Sequence, residues 1–219
     1  MAPSNKLLHN GTVISYNEKT SSPEVLLNAS ILIKDGIIAS ITTEPNLKNS
    51  VPADTEVIDV TGKIVCPGFI DTHRHSWMTA YRTLSPNITL ASYFTWISYL
   101  SPGARDPFSP EDIYDSTLAG LYEAVNAGVT TIVEHAQNNW SPEIMQRGFD
   151  ASVDSGVRMF WCFTLYQHDH FHADEQIQVW KEMSEKHRCK PGTVNMGLAW
   201  DSIGFDNDSA IHDKKKLVK

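Results

Sequence analysis

The sequence predicts an α/β protein in which a small all-β segment precedes a series of βα units. Before residue 65, short apolar runs alternate with turn residues, and residues 31–38 (ILIKDGII) place an Asp-Gly pair between two β-branched runs. Both residues tolerate a positive φ, so the pair suits a type I′ hairpin turn. After residue 65, strand-type and helix-type patterns alternate, which indicates a parallel sheet. We therefore divide the chain into residues 1–65 and 66–219.

The helices of the second part carry matching start and stop signals. Runs that open at Ser109-Pro110 and Ser141-Pro142 close at Gly128 and Gly156. Serine caps the first amides, proline fits the first helical position, and glycine adopts the left-handed closing conformation. A third helix is predicted over residues 174–188. In the first helix, the inward face is predicted to comprise Ile113, Thr117, Leu121, Ala124 and Val125.

Strands are predicted on both sides of the division. In the first part they cover residues 7–15, 56–60 and 63–65 beside the hairpin, and residues 43–54 form a loop. In the second part they cover residues 64–71, 129–134, 157–164 and 193–200. A closed (β/α)₈ barrel takes roughly 250 residues, more than the chain has beyond residue 65. These four strands therefore predict either an open, doubly wound sheet or the first part of a TIM-type barrel.

Composition limits the classes of function. The formal net charge of −8 argues against nucleic-acid binding and against docking on an anionic membrane. No window approaches 18 apolar residues, and the first residues lack the apolar block of a signal peptide. The three cysteines form no C-x-x-C pair, which favours a reducing, cytoplasmic compartment. A small molecule is therefore the expected binding partner, and homo-oligomerisation stays open.

The stretch with the most chemical content is residues 67–75 (PGFIDTHRH). Side chains two apart on a strand point the same way, so His73 and His75 can converge on one ion. Imidazole suits zinc, iron and similar divalent metals. At the carboxyl end of a parallel strand, the pair would open into the mouth of a barrel. An H-x-H pair by itself is weak evidence, because this spacing also arises by chance.

Three ordered segments resemble the amidohydrolase superfamily, in particular its cytosine deaminase, guanine deaminase and chlorohydrolase branch. Residues 62–75 (GKIVCPGFIDTHRH) resemble the signature of that superfamily. Residues 35–41 (DGIIASI) resemble its upstream hairpin, and residues 127–135 (AGVTTIVEH) resemble its second barrel strand. The likeness runs from about residue 6 to about residue 200, roughly the first half of such a protein.

The resemblance implies a β-sandwich beside a partial (β/α)₈ barrel and a metal-dependent hydrolase of non-peptide carbon–nitrogen bonds. A bound metal would make hydroxide available to attack a carbon that bears a leaving group, for example the amine of a ring. His73 and His75 would be ligands of one divalent ion, with zinc expected and iron as the alternative. Residues 198–201 (LAWD) lack the lysine of binuclear members. The family's later histidines and its aspartate have no assignable counterpart, so the catalytic acid and base stay unknown.

Weaker signals follow the next strands. His135, Gln167 and His168 are the candidates for substrate binding, while Glu134 should point the opposite way, toward the helices. Residues 168–172 (HDHFH) fit a solvated loop, a pocket rim or a metal site. Asp201 ends the fourth strand, and two placements stay open for its side chain: inside the pocket or outside it. Six aromatic residues after the first barrel strand either cover the mouth or pack their loop onto the barrel: Trp77, Tyr81, Tyr93, Phe94, Trp96 and Tyr99.

Two other functions remain open at this level. One is a truncated, non-catalytic fragment, for which the absent ligands argue. The other is an α/β binding protein in which the histidine pair is incidental. A nucleotide-binding protein of that kind usually shows a glycine-rich turn after its first strand, and none is present here.

Overall fold

The computed structural model describes residues 5–44, 47, 51–84, 86–98, 100–166, 168, 170–188 and 193–201. The chain divides into two compact units, Met1–Pro67 and Gly68–Lys219. The sequence placed this division after residue 65. Each unit is built around its own sheet.

The first unit contains a five-stranded sheet. Its strands are β1 (Asn5–Asn17), β2 (Ser22–Lys34), β3 (Ile37–Thr42), β4 (Glu56–Asp59) and β5 (Ile64–Val65). The order is β3-β2-β1-β4, and β5 also pairs with β1. Strands β1, β2 and β3 are antiparallel neighbours, whereas β4 and β5 run parallel to β1. Val13, Ala29 and Ile31 form its buried centre.

The predicted hairpin is confirmed. Strands β2 and β3 pair through Lys34 and Ile37, and the two residues between them have φ values of 50° at Asp35 and 78° at Gly36. Positive φ at both positions is what a type I′ turn needs. The Asp-Gly pair therefore determines the register of this hairpin locally.

The predicted strand over residues 64–71 is wrong as a single element. Residues Ile64–Val65 belong to the first sheet, and a separate strand, β6 (Phe69–Arg74), begins the second sheet. Pro67 lacks an amide for a ladder. Gly68 approaches β7 (Val129–Ala136) so closely that a β-carbon there would lie 2.1 Å from Cγ2 of Thr130. The break follows from these two residues.

The second unit contains a four-stranded parallel sheet. Its order is β6-β7-β8-β9, with β8 at Arg158–Leu165 and β9 at Val194–Trp200. Spatial order follows chain order in these described strands. A doubly wound sheet needs a point where the strand order reverses, so the doubly wound alternative does not describe this sheet.

Helices fill the connections between the parallel strands. A 3₁₀ helix (Ser76–Tyr81), α1 (Leu90–Trp96), α2 (Pro102–Arg105) and α3 (Pro110–Asn126) follow β6. Helix α4 (Pro142–Asp154) follows β7, and α5 (Ala173–Arg188) follows β8. Among the residues described, no helix is long and apolar enough to cross a membrane.

The predicted helix signals are confirmed. Ser109 and Asp112 form a reciprocal capping box at the start of α3, and Ser141 caps α4 through the amide of Ile144. Gly128 and Gly156 have φ values of 88° and 69°. Left-handed glycines of this kind end helices without the steric cost of a side chain.

The core of the second unit lies between its sheet and α3, α4 and α5. It includes Leu121, Ile132, Met159 and Phe163, all fully buried. Four of the five predicted inward residues of α3 are buried, but Val125 is 48% exposed, so its placement was wrong. At 3.6 residues per turn, Val125 lies about 120° around the helix from Ile113, beyond the apolar stripe.

Replacement of Gly120 by alanine is expected to destabilise the second unit. A β-carbon at Gly120 would lie 2.3 Å from Oγ1 of Thr79 and 2.7 Å from the carbonyl oxygen of Ser76, so α3 or the 3₁₀ helix must shift. Overpacking of this kind costs about 1–3 kcal/mol. Chemical denaturation measures the loss. Gly103→Ala is the control, since a β-carbon there meets nothing within 4 Å; equal stability of the two variants would contradict the close approach.

Candidate metal centre

The carboxyl ends of the four parallel strands place several polar residues at one edge of the second sheet. Strands β6, β7, β8 and β9 end at Arg74, Ala136, Leu165 and Trp200. His73 is the second-last residue of β6, and His75 follows directly after that strand. Catalytic groups of parallel α/β sheets collect at this edge, because the strand ends are adjacent and the loops beyond them can vary.

The imidazole rings of His73 and His75 meet edge to face. Their centroids are 4.8 Å apart, and their Nε2 atoms are 3.2 Å apart. Two nitrogen lone pairs at this distance repel, so either a proton or a cation must lie between them. The sequence expectation that the two side chains converge is therefore met by the geometry.

His135 joins the pair from the adjacent strand. Its ring centroid lies 4.7 Å from that of His73 and 5.2 Å from that of His75. Nε2 of His135 lies 2.8 Å from Oδ1 of Asp201, the residue after β9. The structure therefore supports the alternative in which the side chain of Asp201 reaches the histidine cluster.

A hydrogen bond determines the tautomer of His75. Its Nδ1 donates to the carbonyl oxygen of His135 at 2.9 Å, so the neutral ring keeps its lone pair on Nε2. Burial is the main cause that lowers the pKa of His75 to about 4, and the charges of His135 and His73 lower it further. A pKa depressed in this way leaves the ring neutral near pH 7, the form that binds metal ions.

The histidine pair fits a divalent cation of the zinc type. Two nitrogens bound to one tetrahedral ion at about 2.0–2.1 Å would lie about 3.4 Å apart, close to the 3.2 Å between these Nε2 atoms. A carbonyl oxygen that accepts from Nδ1, as the carbonyl of His135 does for His75, is the usual support of a ligating histidine. Within the described part of the chain, no group of three or more His, Cys, Asp or Glu side chains forms a full ligand set.

Glu134 occupies the opposite face of β7 from His135, as the strand alternation predicts. Its side chain is 2% exposed, and it accepts hydrogen bonds from the amide nitrogen of Ser76 at 2.8 Å and from Oγ of Ser76 at 2.5 Å. Burial is the main cause that raises the pKa of Glu134 to about 7, while Ser76 and Arg74 act in the other direction. The sequence predicted only the direction of Glu134, toward the helices, and no role for its side chain.

The remaining substrate candidates are only partly described. His168 is half-buried; its ring lies 6.1 Å from that of Tyr166, and its Nδ1 accepts the amide of His170 at 3.3 Å. Gln167 lies outside the described residues. His170 and His172 are exposed, and no metal-binding group forms among the described members of this run. These contacts support the loop or rim interpretation over the metal site.

The aromatic residues after β6 divide between the two interpretations. Trp77 is fully buried and makes edge-to-face contacts with Tyr81, Phe108 and Trp140, which is packing. Phe94 and Trp96 are exposed on α1. Tyr93 is half-buried, and its hydroxyl lies 3.6 Å from the sulfur of Met78. Tyr99 lies outside the described residues.

Three buried amides after β7 were missed from the sequence. Gln137, Asn138 and Asn139 are each nearly inaccessible, and Nδ2 of Asn139 donates to the carbonyl oxygen of Thr164 at 2.6 Å. This bond joins the end of β7 to the end of β8. A run of three amide side chains directly after a strand was the available signal, since buried amides must find partners.

The sequence model of the amidohydrolase family matches residues 64–214. This match covers more than half of the chain, and the chain therefore belongs to the amidohydrolase family. The match begins at β5 and includes the parallel sheet and both histidines of the pair.

Curated relatives with similar sequences are deaminases of adenine nucleosides. A 5-methylthioadenosine/S-adenosylhomocysteine deaminase of Acetivibrio thermocellus is 35% identical over 215 residues, which cover 98% of this chain and 47% of the relative. A 5'-deoxyadenosine deaminase of Methanosarcina mazei is 27% identical over 153 residues, 69% of this chain and 34% of that protein. The chain thus spans less than half the length of these two relatives.

Solved structures show the same fold at low identity. A guanine deaminase from C. acetobutylicum with bound guanine superimposes with a TM-score of 0.71 at 16% identity, over 89% of this chain and 46% of that one. An atrazine chlorohydrolase from Arthrobacter aurescens TC1, complexed with zinc and atraton, gives a TM-score of 0.73 at 23% identity, over 89% and 46%.

Replacement of Trp77 by alanine is expected to destabilise the protein by about 3–5 kcal/mol, since a buried ring is lost from a packed cluster. Trp96→Ala, which removes a ring that is 61% exposed, serves as the control and should cost less than about 1 kcal/mol. Denaturant unfolding followed by fluorescence measures both. A Trp77 variant as stable as the Trp96 variant would revive the mouth-covering role of Trp77.

Proposed function

We propose that the whole protein is a metal-dependent hydrolase that removes the amino group from a ring carbon of a small molecule, with purine nucleosides as the substrate class. The family assignment supports hydrolysis at carbon–nitrogen bonds. The names of the two curated relatives support an adenine-type ring. The observation that carries the proposal is the convergence of His73 and His75 on one point at the carboxyl edge of the sheet.

His73 and His75 would hold one divalent ion, with zinc expected and iron as the alternative. Zinc is present in the related atrazine chlorohydrolase structure, and the 3.2 Å spacing of the two nitrogens suits a tetrahedral ion. When bound, such an ion lowers the pKa of a water molecule and so supplies a nucleophile near neutral pH. The chain's own contribution is to hold the His75 ring neutral and oriented and to place the His73 ring beside it.

His135 and Asp201 would act beside the metal. The 2.8 Å contact between Nε2 of His135 and Oδ1 of Asp201 can hold a proton at the edge of the pocket. We assign His135 to substrate binding together with His168 and Gln167, which follow β8. The carboxylate of Asp201 would keep the His135 ring oriented toward the substrate.

The proposed architecture is part of a β-sandwich followed in the chain by the first half of a (β/α)₈ barrel. Sequential strand order in the parallel sheet supports the barrel, because each crossover then continues in one direction around an axis. Residues 66–219 are assigned to the barrel and residues 1–65 to the sandwich portion. The free thiols of Cys66 and Cys162 agree with the proposed cytoplasmic location.

Substitution of the histidine pair tests the metal site. His73→Ala and His75→Ala are each expected to remove most of the bound metal. The reason is that a zinc ion normally needs three or four protein ligands, and each substitution removes one of them. His170→Ala, at an exposed position outside the pair, should keep the wild-type metal content. Elemental analysis of the purified whole protein measures all three. Unchanged metal content in both pair variants would overturn the proposal.

Ammonia release from adenosine-type nucleosides tests the reaction. The whole protein loaded with zinc should release ammonia, and His75→Ala should lower the rate by about 10²–10³-fold, as loss of a group that stabilises charge in the transition state commonly does. A metal-loaded protein that releases ammonia from no purine nucleoside or base would refute deamination and favour the non-catalytic alternative. The intact mass of the natural protein, compared with 24.5 kDa for this chain, identifies the species to assay.

A further inference from the structure

The backbone that carries His75 has no partner in the sheet. The ladder between β6 and β7 ends at Arg74 opposite Glu134, so His75 and Ser76 lie beyond the last strand pair. His75 has φ −122° and ψ 80°, outside helical geometry, although the 3₁₀ helix begins at the next residue. His73 lies within β6, at a register shift of the ladder between Asp71 and Arg74. His75 lies beyond the strand and needs another anchor if the two rings are to converge.

Glu134 provides hydrogen-bond acceptors at this point. Its two carboxylate oxygens accept separately from the amide nitrogen and from Oγ of Ser76, at 2.8 Å and 2.5 Å. The amide of Ser76 is the first of the 3₁₀ helix, and helix-terminal amides have no acceptor within their own helix. Both Glu134 and Ser76 are buried, so water does not compete for these bonds.

Three further contacts surround the same residues. The approach of Gly120 places α3 directly against the carbonyl of Ser76. Arg74, whose charge lowers the pKa of Glu134, donates from one guanidinium nitrogen to the carbonyl oxygen of Gly120 at 2.8 Å. On the mouth side, the ring of His75 donates to the carbonyl oxygen of His135. Residues 75 and 76 are thus joined to residues 134 and 135 on both faces of β7.

From this arrangement we infer that Glu134 is a positioning residue that holds His75 in its ligating orientation by anchoring Ser76. The inference rests on the proposed function in one respect: a metal ion is taken to be what His75 binds. Glu134 lies behind the pair, on the helix side of β7, and acts through Ser76. It is not a catalytic residue, because it faces away from the mouth.

The first test measures the His75 ring in the metal-free whole protein by imidazole ¹⁵N NMR. Glu134→Ala should change the NMR signals of the His75 ring. It should also expose the Nδ1–H of His75 to rapid exchange, because the ring shifts away from the carbonyl oxygen of His135. Glu134→Gln should resemble the wild type, since the amide oxygen can accept from the Ser76 amide and the amide nitrogen can donate to Oγ. Rescue by glutamine separates hydrogen bonding from charge.

A matched serine pair controls for lost stability. Ser76→Ala and Ser152→Ala each remove one fully buried hydroxyl with one hydrogen bond, and Oγ of Ser152 donates to the carbonyl oxygen of Gly148 inside α4. Ser76→Ala should perturb the His75 ring, though less than Glu134→Ala because the amide bond remains. Ser152→Ala should leave that ring unchanged even if it lowers the unfolding temperature.

The second test titrates zinc against a competing chelator. Loss of support behind a ligating histidine commonly weakens metal affinity 10–100-fold, so we expect at least tenfold weaker binding for Glu134→Ala. Glu134→Gln and Ser152→Ala should stay within about threefold of the wild type.

The outcomes separate the two proposals. An unperturbed His75 ring in Glu134→Ala overturns the positioning role, and so does a Ser152→Ala effect equal to that of Ser76→Ala. Wild-type protein that binds no zinc, with a His75 ring that still responds to Glu134→Ala, overturns the proposed metal function and leaves the positioning role standing. If Glu134→Gln proves as harmful as Glu134→Ala, the carboxylate charge acts, and anchoring by hydrogen bonds is refuted.

Discussion

The candidate site depends on the attachment of residues 75 and 76 to the carboxyl end of β7. The sheet ladder stops one residue earlier, so no backbone pairing extends to His75. Hydrogen bonds from Ser76 to Glu134 and from His75 to the carbonyl of His135 take its place. Because these bonds are largely shielded from water, they are worth more than the same bonds at the surface. They bring the His75 ring to the ring of His73.

Along β7, the residue that joins the histidine cluster and the residue that supports this cluster lie on opposite faces. Consecutive residues of β7 point to opposite faces, so His135 faces its histidine neighbours while Glu134 faces the helix layer. The helix layer must then approach closely, which explains the glycine at position 120, where a β-carbon would collide with the 3₁₀ helix. One strand end therefore supplies a ring to the histidine cluster and a carboxylate to the helix side of the sheet.

Much of the local structure was predictable, because its causes lie within a few residues. The Asp-Gly turn, the serine caps of α3 and α4 and the closing glycines were all anticipated, since each acts on its own neighbours. The errors arose where contacts between residues far apart in the sequence determine the structure. Residues 64–71 read as one strand, but Pro67 and the approach of Gly68 to Thr130 divide it. Val125 has the right chemistry for the core and lies just outside the apolar stripe.

By itself, the sequence determined the α/β class and the limits of α3 and α4, because capping signals act on their own neighbours. It indicated that His73 and His75 could share a face, but His75 follows the strand, and tertiary contacts bring its ring to that of His73. Only the tertiary structure decided that Asp201 meets His135 and that Glu134 holds Ser76. These partners lie 66 and 58 residues apart. The physical reason is that periodicity and capping signals act over one or two turns, whereas pairing across a sheet edge depends on strand order and register, which no local pattern encodes.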